Sequence, residues 1–286
     1  MSRLPVAKTY KLFIGGAFPR SESGRVYDVT SPSGDFIANA SKASRKDARD
    51  AVVAARGAVA KWSGATAYNR GQVLYRIAEM LEGRAAQFVD EIRTSTGATE
   101  KVAQAEVHAA IDLLVWHAGW TDKYAQVVGG ANPVTGPFFN LSVPEPTGVV
   151  AVIAPQSGSS LLGLVAAIAP ALTTGNTVVV IADESSPCAA MSFAEVIATS
   201  DVPGGVVNIL TGSPAEMAPW LASHQDVNAI DLTGADAELA LACEKDAAAT
   251  LKRVVRPGQF DATTGSVDRI GAFVETKTVW HTKSLG

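Results

Sequence analysis

Cysteine is almost missing. Cys188 and Cys243 are the only two among 286 residues, and neither has a CxxC or CxxH neighbourhood. That excludes a disulfide framework and a sulfur-based zinc site, so no metal is expected and a reducing cytoplasm is the compartment to expect. Long apolar runs are missing too. The most hydrophobic stretch, Leu161 to Ala171, reaches about half the ~20 residues that a membrane span needs. The first residues lack the apolar core of a signal peptide. Neither sign of charge dominates: 24 basic and 28 acidic residues leave a net charge near −4, without strong blocks. The broad electrostatic footprint that nucleic acid or an anionic membrane would require is therefore absent. The GxGxxG fingerprint of dinucleotide binding is also lacking, since Gly158-Ser-Ser-Leu-Leu-Gly163 has the wrong spacing.

What is present suffices for a sizeable core, because 47% of the residues are hydrophobic. Short strand-like pieces, Leu12-Phe-Ile14 and Arg25-Val-Tyr-Asp-Val29, separated by Gly/Ser/Pro turns, indicate a small hairpin layer at the start. Ser44 followed by Asp47 reads as a capping box, and Ala48, Val52, Ala55, Val59 and Trp62 form one apolar stripe of the ensuing helix. Two further long helices are expected within 68–93 and 99–126, separated by Thr94-Ser-Thr-Gly97. His108 and His117 fall in the last of them among apolar neighbours, with no oriented partner in sight, and read as partly buried helix residues.

After a Pro/Gly/Phe/Asn-rich stretch ending at Pro146, strands and helices alternate. Strand candidates 149–153, 177–181, 206–210 and 228–232 are separated by helix candidates near 160–172, 187–200, 214–223 and 236–249. That spacing implies a parallel sheet covered on both faces. Two turns repeat the same words, Asn208-Ile-Leu-Thr-Gly212 and Ala229-Ile-Asp-Leu-Thr-Gly234. Each puts a glycine between a strand's carboxyl end and a helix start, a place suited to phosphate and equally an ordinary α/β turn.

The segments Glu145-Pro-Thr-Gly-Val-Val-Ala-Val-Ile-Ala-Pro155, Ile168-Ala-Pro-Ala-Leu-Thr-Thr-Gly-Asn-Thr-Val-Val-Val180, Pro203-Gly-Gly-Val-Val-Asn-Ile-Leu-Thr-Gly212 and Asp231-Leu-Thr-Gly234 resemble the NAD(P)-binding domain of the aldehyde dehydrogenase superfamily. The likeness extends back through Phe13-Ile-Gly-Gly16 and Trp62 and returns in Glu275-Thr-Lys-Thr-Val-Trp280, similar to that family's final strand. It implies an α/β fold with an open parallel Rossmann-like sheet, flanking helices and a small β oligomerisation element. Residues 1–130 would form an N-terminal strand layer and the helical part of the cofactor-binding domain, 131–150 an oligomerisation hairpin, 151–259 the Rossmann-like part, and 260–286 a linker with the C-terminal oligomerisation strand. The family's catalytic domain would fall between Gln259 and Ile270, so an internally shortened protein is expected.

The resemblance implies cofactor contacts at Ala154, Pro155, Ser157, Glu184, Gly212, Gly234 and Ala235, with NAD or NADP as a weak ligand of a degenerate site. Ser157 stands where the family has its oxyanion-hole asparagine, and a serine hydroxyl is shorter than that amide. Ile181 replaces the lysine that holds the adenosine ribose, while Glu184 matches the glutamate. Ala235 removes a hydroxyl near the pyrophosphate, and Asp236 adds a negative charge there. Pro257 occupies the general-base position and cannot carry a proton; the nucleophilic cysteine belongs to the missing domain. Cys188 and Cys243 read as small packing residues, and Asp183 with Glu184 as solvated or helix-starting acids, so no catalytic residue is expected. In the family the hairpin and terminal strand pair with another subunit's catalytic domain. Residues 131–150 and 272–280 are therefore expected to join this chain to itself or to a full-length aldehyde dehydrogenase, as a non-catalytic scaffold or regulator. An NAD(P)-sensing homodimer and a structural component of an aldehyde-oxidising complex are the alternatives.

Overall fold

The computed structural model describes residues 6–258 and 261–283. Gln259, the expected boundary, lies outside them. A three-stranded layer opens the chain: β1 (Thr9–Tyr10), β2 (Val26–Thr30) and β3 (Phe36–Ser41), in the order β1-β3-β2. The Leu12–Ile14 piece forms only isolated bridges, Phe13 to Ile209 and Ile14 to Ala17.

Five helices follow: α1 (Arg45–Ser63), α2 (Ala67–Glu82), α3 (Ala85–Thr96), α4 (Glu100–Trp120) and α5 (Tyr124–Val128). The capping box at α1 is present, with Ser44 Oγ accepting from Asp47 N and Asp47 Oδ2 accepting from Ser44 N. Its stripe is buried at Ala48, Val52, Ala55 and Trp62. The long helix expected within 68–93 is two helices instead. Gly83 caps α2 by donating to Glu79 O, and Arg84 starts a new axis.

Then come β4 (Gly130–Asn132), β5 (Phe138–Pro146), β6 (Val149–Ile153), α6 (Leu162–Thr173), β7 (Thr177–Ile181), α7 (Cys188–Ala198), β8 (Val207–Leu210), α8 (Pro214–Ser223), β9 (Ala229–Asp231), α9 (Ala237–Ala248), β10 (Arg253–Val255), α10 (Val267–Gly271) and β11 (Val274–Thr282). The parallel sheet runs β10-β9-β6-β7-β8. Strand β6 begins at Val149, inside the 131–150 stretch. β10 adds a fifth strand too short to show in the sequence pattern.

Both faces of the sheet are covered. Val150, Val152, Val178 and Val180 share one core with α2, α4, α6 and α7, whereas Val149, Ala151, Ile153, Val179 and Ile181 share another with α1, α8 and α9. Burial on both sides is why these strands read as unbroken apolar runs rather than alternating ones. The third sheet, β11-β5-β4, is antiparallel, with β11 paired to β5 from Val274–Pro146 to Thr282–Phe138. Among the described residues no helix is long and apolar enough to cross a membrane.

Candidate functional site at the carboxyl edge of the parallel sheet

The strand order reverses between β6 and β9: β7 and β8 extend the sheet one way, β9 and β10 the other. Helices leave on opposite faces at such a reversal, and the crevice there is where open α/β sheets take ligands. Four expected cofactor residues stand around it. Gly234 N donates to Ile153 O at 2.9 Å, and a Cβ on Gly234 would fall 1.8 Å from Ala154 O, so only glycine fits. Ala235 is buried beside it, and Pro155 lies against the first turn of α6, where a Cβ on Gly163 would stand 3.1 Å from the proline ring. Ser157 and Glu184 sit in the turns after β6 and β7. Gly212 lies beyond β8 with φ +117°, against the backbone of Lys42 and Ala43. All seven residues follow the carboxyl ends of β6, β7, β8 or β9 of one parallel sheet.

Three groups that sequence reasoning missed shape this edge. Gln156 lies across the ends of β6 and β7: its Nε2 donates to Ala154 O at 2.7 Å and Ala182 O at 3.3 Å, while Oε1 accepts from Glu184 N at 3.1 Å. Glu106, on α4, caps α6, with Oε1 accepting from Leu161 N at 2.9 Å and Leu162 N at 3.2 Å. Burial pushes this carboxyl up, against the pull of those two donors. A carboxylate so placed takes the helix end that a phosphate would otherwise take.

Asp231 is the third. Fully buried at the end of β9, it accepts from Thr233 N at 3.0 Å, from Thr233 Oγ1 at 2.5 Å and from Arg269 Nη2 at 2.7 Å. Burial pushes its carboxyl up, with Arg269 and Thr233 opposing. Arg269 comes from α10, so the C-terminal segment is fastened to the crevice by an ion pair with a buried acid.

The histidines separate. His108 is exposed, but His117 is buried, its Nδ1 3.0 Å from Thr173 Oγ1. Thr173 Oγ1 donates to Ala169 O at 2.8 Å, which leaves it to accept from the ring. Burial, with Arg269 adding to it, drives His117 down to about 3. Both cysteines are buried, and burial pushes each thiol up to about 11. Neither is poised as a thiolate. Asp183, expected as a solvated or helix-starting acid, is buried and lies ahead of the Pro187 N-cap of α7: Oδ1 accepts from Ser185 N at 2.8 Å, Ser185 Oγ at 2.7 Å and Ser186 N at 3.3 Å, organising the turn before that helix. Asp236 is the N-cap of α9, accepting from Leu239 N at 2.8 Å. Pro257 is exposed after β10. Among the described residues no group of three or more His, Cys, Asp or Glu could hold a metal.

Residues 18–256 match the profile of the aldehyde dehydrogenase family. The chain belongs to that family. Omega-crystallin from Enteroctopus dofleini is 31% identical over 257 residues, covering 88% of this chain and 51% of the relative. Retinal dehydrogenase 2 from Gallus gallus is 35% identical over 252 residues, covering 86% and 48%. The NAD+ complex of an aldehyde dehydrogenase from Bacillus cereus superposes with a TM-score of 0.82 at 26% identity, covering 86% of this chain and 50% of that one. The chain thus spans about half the length of the relatives it matches, and the profile match ends before α10 and β11.

Proposed function

We propose that this chain is a non-catalytic aldehyde dehydrogenase family subunit, a scaffold or regulator in the cytoplasm. It assembles through the antiparallel sheet with a second copy or with a full-length member of the family. The observation that carries the reading is the outer edge of β11. This nine-residue strand pairs with β5 on one side, and among the described residues its other side has no strand partner. A long unpaired edge is a template for another chain. Exposed Trp280 and Phe139 add apolar surface on the same sheet. The chemical side agrees: both thiols are buried, and proline stands at the position matching the family's general base.

A dinucleotide fits the edge in part. Glu184 can accept from ribose hydroxyls, and the Gly212 and Gly234 turns hold the ends of β8 and β9 tightly against the chain's own backbone beside it. Against this stand Ile181 in the place of an ammonium, Ala235 without a hydroxyl, and the Glu106 carboxylate on the end of α6. Weak binding of NAD or NADP is the second reading, supported by the likeness to the Bacillus cereus aldehyde dehydrogenase solved as an NAD+ complex.

The test is the solution mass of the purified chain, alone and mixed with a full-length family member from the same organism. A mixed species, or a defined homo-oligomer abolished by proline within 274–282, is expected. A monomer in both conditions would sink the assembly reading, and saturable NAD binding by that monomer would move the function to sensing.

A further inference from the structure

The N-terminal strand layer holds a cavity of about 270 Å³ between the end of β1, the turn leading into β2 and the end of β3. Tyr10 and Ala40 point into the core, so strand alternation turns Thr9 and Ser41 to the opposite face, where they line the cavity. Its charge has one sign. Lys11, Arg20 and Arg25 line it, and no acidic residue does. The Lys11 ammonium and the Arg20 guanidinium have neither a hydrogen bond nor an ion pair among the described residues. Arg25 is loosely held: its Nε donates to Ser23 Oγ at 3.3 Å, and its Nη2 stands 3.8 Å from Glu216, which Lys42 Nζ already holds at 2.6 Å. The neighbouring carboxylates are occupied. Asp47 accepts from Ser21 Oγ at 2.7 Å, Glu22 N at 3.0 Å and Ser44 N at 2.8 Å, and Glu22 pairs with Lys46 Nζ at 3.1 Å.

Ser41 sits beside these cations with an unused hydroxyl. The residue is 2% exposed, and Thr211 Oγ1 donates to its carbonyl at 2.5 Å. Its own hydroxyl has no hydrogen-bond partner among the described residues, and it is not one of the sealed side-chain oxygens, so it keeps surface in the cavity it lines.

The charge selects the ligand. A cleft of one sign concentrates counter-ions. A metal ion would meet three like charges, and a neutral sugar or water would leave them uncompensated. Guanidinium forks match carboxylate and phosphate oxygens two at a time. A carboxylate brings a single charge and a single pair of oxygens, whereas a phosphate monoester brings close to a double charge at neutral pH and a third terminal oxygen. That suits three cations with the Ser41 and Thr9 hydroxyls as further donors. The volume falls below that of pockets for drug-sized ligands, which limits the rest of the molecule to a small group.

We propose that this cavity binds a phosphoryl dianion, as a small phosphate monoester or inorganic phosphate, with Lys11, Arg20 and Arg25 on its oxygens and the Ser41 hydroxyl as its deepest donor. None of these residues belongs to the antiparallel sheet or to the carboxyl edge of the parallel sheet, so the site is independent of both the assembly and the dinucleotide readings.

Titration calorimetry on the intact chain with inorganic phosphate, D-ribose 5-phosphate and D-glucose 6-phosphate, against acetate and D-glucose, tests it. At least one phosphate is expected to saturate at millimolar concentration or below, with acetate about tenfold weaker for want of one charged hydrogen bond and D-glucose silent. An ester tighter than inorganic phosphate makes a phosphorylated metabolite the source; inorganic phosphate as tight as the esters or tighter makes the free ion the source. Lys11→Gln combined with Arg20→Gln should weaken binding roughly a hundredfold, about tenfold for each charged hydrogen bond. The melting temperature should not move, because neither side chain has a partner in the free chain. Ser41→Ala should weaken binding by roughly three- to tenfold. No saturation by any of the three phosphates, acetate binding as tightly as they do, or phosphate binding unmoved by the double substitution or by Ser41→Ala would each overturn the proposal.

Discussion

The two larger sheets are held by different physics. Every residue of β6, β7, β8 and β9 is buried. In the antiparallel sheet, β4 is exposed throughout and β11 is buried only at Val274. The first is fixed by apolar burial on both faces. The second buries little, its central β5 being fully buried only at Asn140, and register in such a sheet is weakly specified unless side-chain contacts pin it, as they do here. Asn176 Oδ1 accepts from Gly148 N at 2.8 Å while its Nδ2 donates to Phe273 O at 2.9 Å, tying the start of β11 to the parallel sheet. Arg253 holds Glu275 with two bonds of 2.7 and 2.9 Å, Lys277 meets Glu145 at 3.2 Å, and Phe138 packs edge-on against Trp280. An element can thus be accurately placed without being a core.

The largest effect should come where the C-terminal segment meets the buried edge. Arg269→Met leaves Asp231 without its cation and is expected to cost about 3–5 kcal/mol in urea unfolding. A second change, Asp231→Ala, should recover most of it. If the single variant is as stable as the parent, the ion pair is not what fastens α10, and the contrast between the sheets weakens.

A smaller effect is expected from pH. His117 stays neutral in the folded chain down to about 3, whereas the unfolded chain takes up its proton from the ordinary value of 6.5. Between those values the unfolded state holds the extra proton, so stability falls as pH falls through this window. From pH 7 to pH 5 the loss is about 2 kcal/mol, and His117→Phe should flatten it. An unchanged slope in the variant would place the titration elsewhere.

Smallest of all, Trp280→Ser should change stability by about 0.5 kcal/mol or less, as for other exposed positions. It should nevertheless reduce association at the β11 sheet, read by sedimentation. A large stability loss would mean that the antiparallel sheet is a core after all.

The sequence disclosed what burial and local chemistry write into it. The parallel strands were visible as valine runs, α1 through its capping box, and β11 through Glu275-Thr-Lys-Thr-Val-Trp280. The break at Gly83–Arg84 was hidden because the apolar stripe continues across it, with Leu81 and Phe88 both buried. The turn at Gly234, between the end of β9 and the start of α9, was legible because a strand end and a tight turn leave local marks. Gln156, Glu106 and Asp231 were not. Each acts on groups brought near by folding, Glu106 on amides 55 and 56 residues later and Asp231 on a guanidinium 38 residues later, and no local pattern encodes such distances. Asp183 was misplaced for the same reason: an acid beside Glu184 looks solvated until the turn around it is built.

The β5–β11 ladder also sets an order of events during synthesis. Ser142 and Thr278, hydrogen-bonded across it, are 136 residues apart in the chain. At about 5–20 residues per second, β4 and β5 leave the ribosome on the order of ten seconds before their partner exists. For that interval both sides of a strand addition are open, first on β5 and afterwards on β11. A companion chain present at the ribosome would meet the nascent hairpin before its own strand does.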